Sequence, residues 1–544
     1  MLVSFDKLDN MHVRVNWIRI KNMNYISRSE IDTYNRLRTE ITDASGTIMN
    51  LGQLLEYATK KYPDKVALIY QQQRVTYKEL FYWVTLFARK LQAMNIKPRD
   101  RVLLFFENSI EFYVGYYAIV QIGAVVAPLN IFLKERELAH IIADAQPTLL
   151  IASTTLLKKM EEDHIDAQVP VLTEADMDLI SSYDESQLEP VIAHLDQNEM
   201  AALLYTSGTT GLPKGVMLSS KNIFTNCIQA VSRLGFVQDE RVFGVLPFFH
   251  SFAQFSCVWA VFLMGCTVII VPKIERRFIM EGLTHKPTIF SGVPALFGLM
   301  CLLKDADLDS VKFFASGGDA LPDKIRGAFE MIYQRKIGAG YGLSETSPVL
   351  TADLDDYTEP TNNVGIPLIG VTIAIRDEQG NDLPDGHIGQ IWVRGDNVML
   401  GYYNEPAKTG QAIQNGWFDT GDLGYIGAYG KLVITGRLKD VIASKGFKIY
   451  PQEIENVILM YPAAVRAAVI GVEDAHVGQV VVAYVQLRGA EPGDEQKIRE
   501  LCERNLAAYK VPKKFVCVTH NLPLTGTGKV DKKVLKKQSG EDGF

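Results

Sequence analysis

Tyr205-Thr206-Ser207-Gly208-Thr209-Thr210-Gly211-Leu212-Pro213-Lys214-Gly215 follows a short apolar run, residues 200–205, that reads as a buried strand. Beyond it, Leu218-Ser219-Ser220-Lys221-Asn222 sets Ser and Asn where an N-cap opens the next helix. A Gly, Ser and Thr loop ending in Lys offers unpaired backbone N–H groups, hydroxyls and one mobile cation. Those are the groups that hold a polyphosphate. It is not a Walker A loop, because G-x-x-x-x-G-K-[ST] fits nowhere in it. A Gly-rich surface turn is the competing reading. Outward from this loop, β-rich apolar runs at 102–106, 125–128, 148–152, 242–246, 288–290 and 311–315 alternate with helical patterns. Such alternation predicts an α/β fold in which parallel sheets are covered by helices.

The style changes twice along the chain. Across 364–403, short alternating strands with turns at Glu378-Gln379-Gly380-Asn381 and Pro384-Asp385-Gly386 predict a small β-barrel-like subdomain. After Gly436-Arg437, a helix from Pro451, strands at 467–470 and 480–487 and a helix near 496–507 predict a small mobile α+β C-terminal domain. The boundaries read as an N-terminal extension of unknown role (1–48), a large domain (49–437), a hinge (438–440), a small domain (441–537) and a tail (538–544). Residues before Met49 show no sustained period, and the Lys-rich run 532–537 reads as a solvated charged end.

The 544 residues exceed what one hydrophobic core serves, so two or more domains are expected. A net charge of −7 provides no field that favours nucleic acid. Six scattered cysteines without C-x-x-C spacing suit free thiols in a reducing compartment. No signal peptide is visible, and the most apolar stretch, 257–271, is shorter than the ~20 residues that span a bilayer. The expected location is cytoplasmic, with peripheral membrane contact and a homodimer left open.

Several further motifs point to nucleotide chemistry. In Tyr341-Gly342-Leu343-Ser344-Glu345-Thr346, Glu345 sits where a hard oxygen ligand could hold Mg²⁺, and Thr346 where a hydroxyl could meet a phosphate. Ser316-Gly317-Gly318-Asp319 allows close backbone approach to a flat ligand. Asp419-Thr420-Gly421-Asp422 and Gly436-Arg437-Leu438-Lys439-Asp440 add a carboxylate for ribose hydroxyls and a guanidinium. Pro523-Leu524-Thr525-Gly526-Thr527-Gly528-Lys529 places another lysine on a flexible loop.

Taken in order, from about Met49 to about Lys537, these motifs resemble the adenylate-forming superfamily of acyl-CoA synthetases, amino-acid adenylation domains and beetle luciferases. Arg394-Gly395-Asp396-Asn397-Val398-Met399-Leu400-Gly401-Tyr402-Tyr403 and Gly416-Trp417-Phe418-Asp419-Thr420-Gly421-Asp422 are most similar to bacterial medium- and long-chain fatty-acid–CoA ligases. The resemblance implies ATP and coenzyme A as co-substrates, Mg²⁺ as cofactor and a fatty acid as substrate. A carboxylate attacks ATP to give acyl-AMP and pyrophosphate, and the CoA thiol then displaces AMP. It further implies that Lys529 bridges the carboxylate and the α-phosphate, and that Glu345 and Thr206 hold the metal. Thr206, Ser207, Gly208, Thr209, Thr210, Gly211 and Lys214 would embrace the outgoing pyrophosphate. Gly318, Asp319, Gly340, Tyr341, Gly342, Thr346, Asp422 and Arg437 would line the nucleotide. Lys439 would be the hinge, with Lys445, Gly446 and Phe447 brought to a pantetheine tunnel after rotation. His250 would gate between acyl site and tunnel, and Phe249, Ser291, Gly292, Val293 and Gly317 would wall the acyl pocket.

From Phe248 to Met264 there is no acidic residue to pair a substrate ammonium, which argues against an amino-acid substrate. An acyl-AMP ligase serving a carrier protein, a CoA ligase for aryl or short-chain acids, and a catalytically silent binder are the alternatives. Asp319 departs from the family, many of whose members carry Ala there.

Overall fold

The computed structural model describes residues 26–177, 191–193, 195–206, 212–353, 362–444, 447–474, 478–489, 491–524 and 529–541. Among these residues two large sheets form the body. One runs Gly401–Tyr402, Lys214–Ser219, Met200–Thr206, Val125–Pro128, Arg101–Phe105, Leu149–Ala152, Val171–Leu172. Its inner neighbours pair in parallel, and only the first three strands turn antiparallel. The other is parallel from Val66–Tyr70 through Thr267–Ile270, Arg241–Gly244, Ile289–Gly292 and Phe313–Ser316 to Gly338–Gly342. Antiparallel strands close both of its edges. Val125–Pro128, Leu149–Ala152 and Thr267–Ile270 are buried on both faces. That is why they read as continuous apolar runs rather than alternating ones.

Two helices carry one apolar core across both sheets. Ile110–Gln121 is apolar nearly all round, and every residue except Glu111 is buried, as expected of an interior helix. Against it runs the helical stretch that begins at Ser251–Ala253, opens into a π turn at Gln254–Trp259 and ends at Ala260–Met264. Such a turn departs from the i→i+4 ladder, so carbonyls need other donors. The Tyr113 hydroxyl donates to the Cys257 carbonyl at 3.0 Å and the Tyr117 hydroxyl to the Val258 carbonyl at 2.6 Å. The Trp259 indole N–H reaches the Tyr116 hydroxyl at 2.8 Å.

The small antiparallel sheet is present as Thr372–Arg376, Gly389–Arg394, Trp417–Ile426 and Ile413–Gln414, with Leu432–Arg437 also paired to Trp417–Ile426. The C-terminal region builds its own sheet from Ile442–Ser444, Phe447–Ile449, Ala464–Asp474, Gly478–Leu487 and Lys514–Val518, covered by the helices Pro451–Leu459 and Asp494–Asn505. No described helix is long and apolar enough to cross a membrane.

Two segments differ from the sequence reading. Arg28–Glu40 is a helix capped by Ser27, whose Oγ accepts the Glu30 N–H at 3.1 Å. Leu37, Ile41 and Ile48 enter the large core, and the buried Glu30 faces Arg233 at 3.4 Å. With Glu30 and Leu37 its only buried positions, the helix has too thin an inner stripe to read as a period. The Lys-rich run is not a solvated end but the helix Lys532–Glu541. Leu535 is 1% exposed within a small-domain cluster, and Lys532 pairs with Glu455 at 2.6 Å. One inward leucine among lysines outweighs the charge of the run.

Candidate active site

Strand Gly338–Gly342 brings Tyr341 to the end of the parallel sheet, where its hydroxyl donates to Asp422 Oδ2 at 2.7 Å. Asp422 lies opposite Arg437 in the antiparallel pair, and the guanidinium Nε sits 3.2 Å from Oδ1. The Asp422 N–H in turn donates to Thr420 Oγ1 at 3.1 Å. Burial pushes the Asp422 carboxyl above its ordinary range, opposed by Arg437, the Tyr341 hydroxyl, Lys529 and Lys439. Gly342 accepts no side chain, since a Cβ there would lie 1.7 Å from the Pro348 carbonyl oxygen. Gly340 lies two residues earlier on the same strand. Gly318 and Asp319 are exposed after strand Phe313–Ser316, and Asp319 Oδ1 accepts the N–H of Ala320.

Thr206 and Lys214 face each other across the hairpin of Met200–Thr206 and Lys214–Ser219. The Lys214 ammonium sits 3.9 Å from the centre of the Tyr402 ring. Burial lowers its pKa, while Glu345 works in the opposite direction. The Tyr402 hydroxyl donates to Glu345 Oε1 at 3.0 Å, and Oε2 takes no hydrogen bond from a described residue. Among the described residues no group of three or more His, Cys, Asp or Glu side chains gathers as a metal cage. A half-buried single carboxylate with a spare oxygen fits Mg²⁺, which keeps several waters and takes phosphate oxygens as ligands. Thr346 turns the other way. Its fully buried hydroxyl lies 2.9 Å from the Pro348 carbonyl and 3.0 Å from that of Leu343, and accepts the Leu343 N–H. The expected phosphate contact of this hydroxyl is therefore replaced by a backbone brace.

The Lys529 charge is felt by both Asp422 and His250. His250 caps Ser251–Ala253, its Nδ1 accepting the Phe252 N–H at 3.2 Å. Burial first, and Lys529 second, push its pKa down to about 4, so the ring is neutral at pH 7. Phe249 beside it is buried and meets Phe132 edge-on at 6.3 Å. Ser291 and Gly292 end a strand, Val293 follows as a helix cap, and the Gly317 N–H donates to the Gly292 carbonyl at 3.1 Å. A Cβ on Gly317 would lie 3.2 Å from the Phe252 ring. His250 and Gly317 thus both lie against Phe252.

Phe447 does not join this group. It is half exposed and stacks on Tyr509, centroids 4.4 Å apart. Lys439 sits in the turn Leu438–Asp440, where burial and Arg437 lower its pKa. Ser207, Gly208, Thr209, Thr210 and Gly211, and Lys445 and Gly446, lie outside the described residues. Sequence reasoning assigned nothing to Tyr402, although it stands inside a quoted motif, nor to Thr420 or Phe252.

Residues 55–403 match the model of the AMP-binding enzyme family, and 453–529 that of the AMP-binding enzyme C-terminal domain. The chain is similar to a long-chain-fatty-acid–CoA ligase of Bacillus subtilis (strain 168), 30% identical over 90% of this chain and 95% of the relative. It is also similar to a feruloyl-CoA synthase of Amycolatopsis sp, 31% identical over 88% of this chain and 96% of that one. Among solved structures, ATP-bound MatB from Rhodopseudomonas palustris superposes with a TM-score of 0.82 at 30% identity, covering 91% of this chain and 100% of the other.

Proposed function

We propose a substrate and a division of labour for this chain, which belongs to the AMP-binding enzyme family and is an AMP-forming acid–CoA ligase. The proposed acid is a medium- or long-chain fatty acid. The observation that carries this reading is the absence of any acidic residue from Phe248 to Met264, a run that also holds Phe252 and Phe249, the latter packed edge-on against Phe132. An apolar chain loses nothing there, whereas an ammonium would be left without a partner. The similarity to a feruloyl-CoA synthase supports a second reading, an aryl acid, which the same aromatic wall would stack.

In the first step a carboxylate oxygen bonds to the α-phosphorus of ATP while the bond to the pyrophosphate oxygen breaks. Two like unit charges ~4 Å apart repel by about 4 kcal/mol at an effective dielectric of 20, so cations must cancel them. Lys529, whose charge acts on both Asp422 and His250, would hold carboxylate and α-phosphate together. Lys214 neutralises the outgoing pyrophosphate, and Asp422 accepts from the ribose while Tyr341 and Arg437 fix it. Mg²⁺, when bound through Glu345, supplies further charge neutralisation on the phosphates. Neutral His250 keeps the acyl side free of a competing cation. In the second step the CoA sulfur bonds to the acyl carbon, AMP leaves with the bonding electrons, and the thiol proton is released. Rotation about Lys439 would withdraw Lys529 and bring the 444–448 segment to the site.

The test is ATP-dependent pyrophosphate release with saturated acids from acetate to palmitate and with aryl acids, each with and without CoA. CoA-dependent turnover on a medium or long chain sustains the reading. Turnover restricted to aryl acids replaces the substrate. A single burst that CoA does not turn over points to a carrier-protein acceptor.

A further inference from the structure

Lys214 and Glu345 carry opposite charges and feel one another, yet among the described residues no ion pair joins them. Tyr402 stands between. Its ring takes the Lys214 ammonium at 3.9 Å, and its hydroxyl takes one Glu345 oxygen at 3.0 Å. Its position is fixed from behind. Tyr402 pairs with Val216 at the sheet edge, its N–H donates to Thr409 Oγ1 at 2.9 Å, and it is 7% exposed. Burial and the Glu345 charge hold its hydroxyl protonated, so it donates rather than accepts.

A direct Lys214–Glu345 pair would satisfy each charge with the other, and a nucleotide would have to break it. An aromatic face attracts a cation without neutralising it by a hydrogen bond. A hydroxyl that occupies only one carboxylate oxygen leaves the second available to another partner. We propose that Tyr402 is a positioning residue that keeps Lys214 and Glu345 apart and separately oriented, the ring presenting the ammonium to the departing phosphates and the hydroxyl aiming the free oxygen of Glu345 at the metal. This rests on the nucleotide reading of the site given above. Groups that orient a metal ligand from behind are typically worth roughly 10–100-fold in metal affinity.

Two substitutions separate the two jobs. Tyr402→Phe keeps the ring and removes the hydroxyl, and Tyr402→Leu removes both. The probe is Mn²⁺ binding followed by electron paramagnetic resonance in the presence of α,β-methylene ATP, with binding of the analogue alone measured in EDTA by calorimetry. Circular dichroism and thermal unfolding check that each variant folds. Tyr402→Phe is expected to weaken Mn²⁺ by roughly 10–100-fold while binding of the metal-free analogue stays within about threefold. Tyr402→Leu is expected to lose both. Mn²⁺ binding unchanged in Tyr402→Phe overturns the metal role, and metal-free analogue binding equal in the two variants overturns the ring's hold on Lys214. If Tyr402→Leu does not fold, Tyr402→Trp, which keeps an aromatic face without the hydroxyl, replaces it: retained analogue binding supports the ring's role and its loss overturns it. A wild-type protein that binds neither Mn²⁺ nor the analogue overturns the nucleotide reading itself, an outcome distinct from both.

Discussion

The floor of the site and the small domain above it are secured by different contacts. Beneath the floor, aromatic side chains interlock: Phe112 and Tyr113 pack on Phe248, and Tyr113 and Tyr117 pack on Phe262, all of them buried. Above it, the small domain touches the large one through polar groups near the surface. Lys324 donates to the carbonyls of Tyr461, Pro462 and Ala464 at 3.2, 2.8 and 3.0 Å, just past the C-terminal end of helix Pro451–Leu459. Lys448 pairs with Glu378, Gln452 reaches Asn362 at 3.5 Å, and Lys532 feels Asp319. Burial of large side chains is worth several kcal/mol per residue and is lost only on unfolding. Hydrogen bonds exchanged with water are worth ~0.5–1.5 kcal/mol each and can be remade. The difference teaches that the floor costs far more to disrupt than the upper contacts, which is the arrangement the proposed rotation of the small domain would need.

Four substitutions break or sharpen that contrast. Lys529→Ala removes the charge felt by both Asp422 and His250 and is expected to slow acyl-AMP formation by ~10²–10³. Thioester formation from supplied acyl-AMP should continue, as single-turnover assays of the two half-reactions will tell, and equal loss in both would remove the two-state role. Tyr117→Phe attacks the floor by leaving the Val258 carbonyl without its donor. A loss of ~1–3 kcal/mol in urea unfolding is expected, with the ratio of the half-reaction rates unchanged. Lys324→Met attacks the upper contacts, and the opposite pattern is expected. Global stability should move by less than about 1 kcal/mol, while the balance between adenylation and thioesterification moves by up to about tenfold. A stability loss without a changed ratio would count against the exchangeable interface.

The smallest effect concerns His250. Its folded pKa of about 4 lies below the ordinary unfolded value near 6.5. As pH falls below 6.5 the unfolded state takes up the proton first, so stability is lost between pH 6.5 and about 4. His250→Gln should flatten that part of the stability profile measured by urea unfolding at fixed temperature.

Much of the fold was legible because parallel strands buried on both faces announce themselves as short apolar runs. The antiparallel edges were harder, since Gly401–Tyr402 and Ile366–Pro367 are each two residues long. Tyr402 was quoted and left without a role because its partner Glu345 stands 57 residues earlier, and a hydrogen bond of that span has no local signature. Thr346 differs for the converse reason: a hydroxyl beside a candidate metal ligand invites a phosphate, yet its nearest acceptors are its own neighbouring carbonyls. The helix Lys532–Glu541 was hidden by composition, with four lysines around a single anchoring leucine in residues 532–537.

The π turn has a consequence for anyone wishing to change the acid this enzyme takes. The Tyr113 and Tyr117 hydroxyls moor the backbone of the stretch carrying Phe252 to helix Ile110–Gln121, leaving that backbone little freedom to slide outward. On the proposed acyl side, new room would have to be carved from side chains, at Phe249 or Phe252, and each carved atom would be a local edit rather than a displacement of the wall. Laboratory selection for bulkier acids should therefore accumulate large-to-small replacements at those rings long before it reaches the tyrosines, whose loss would unmoor the wall at the expense of the fold.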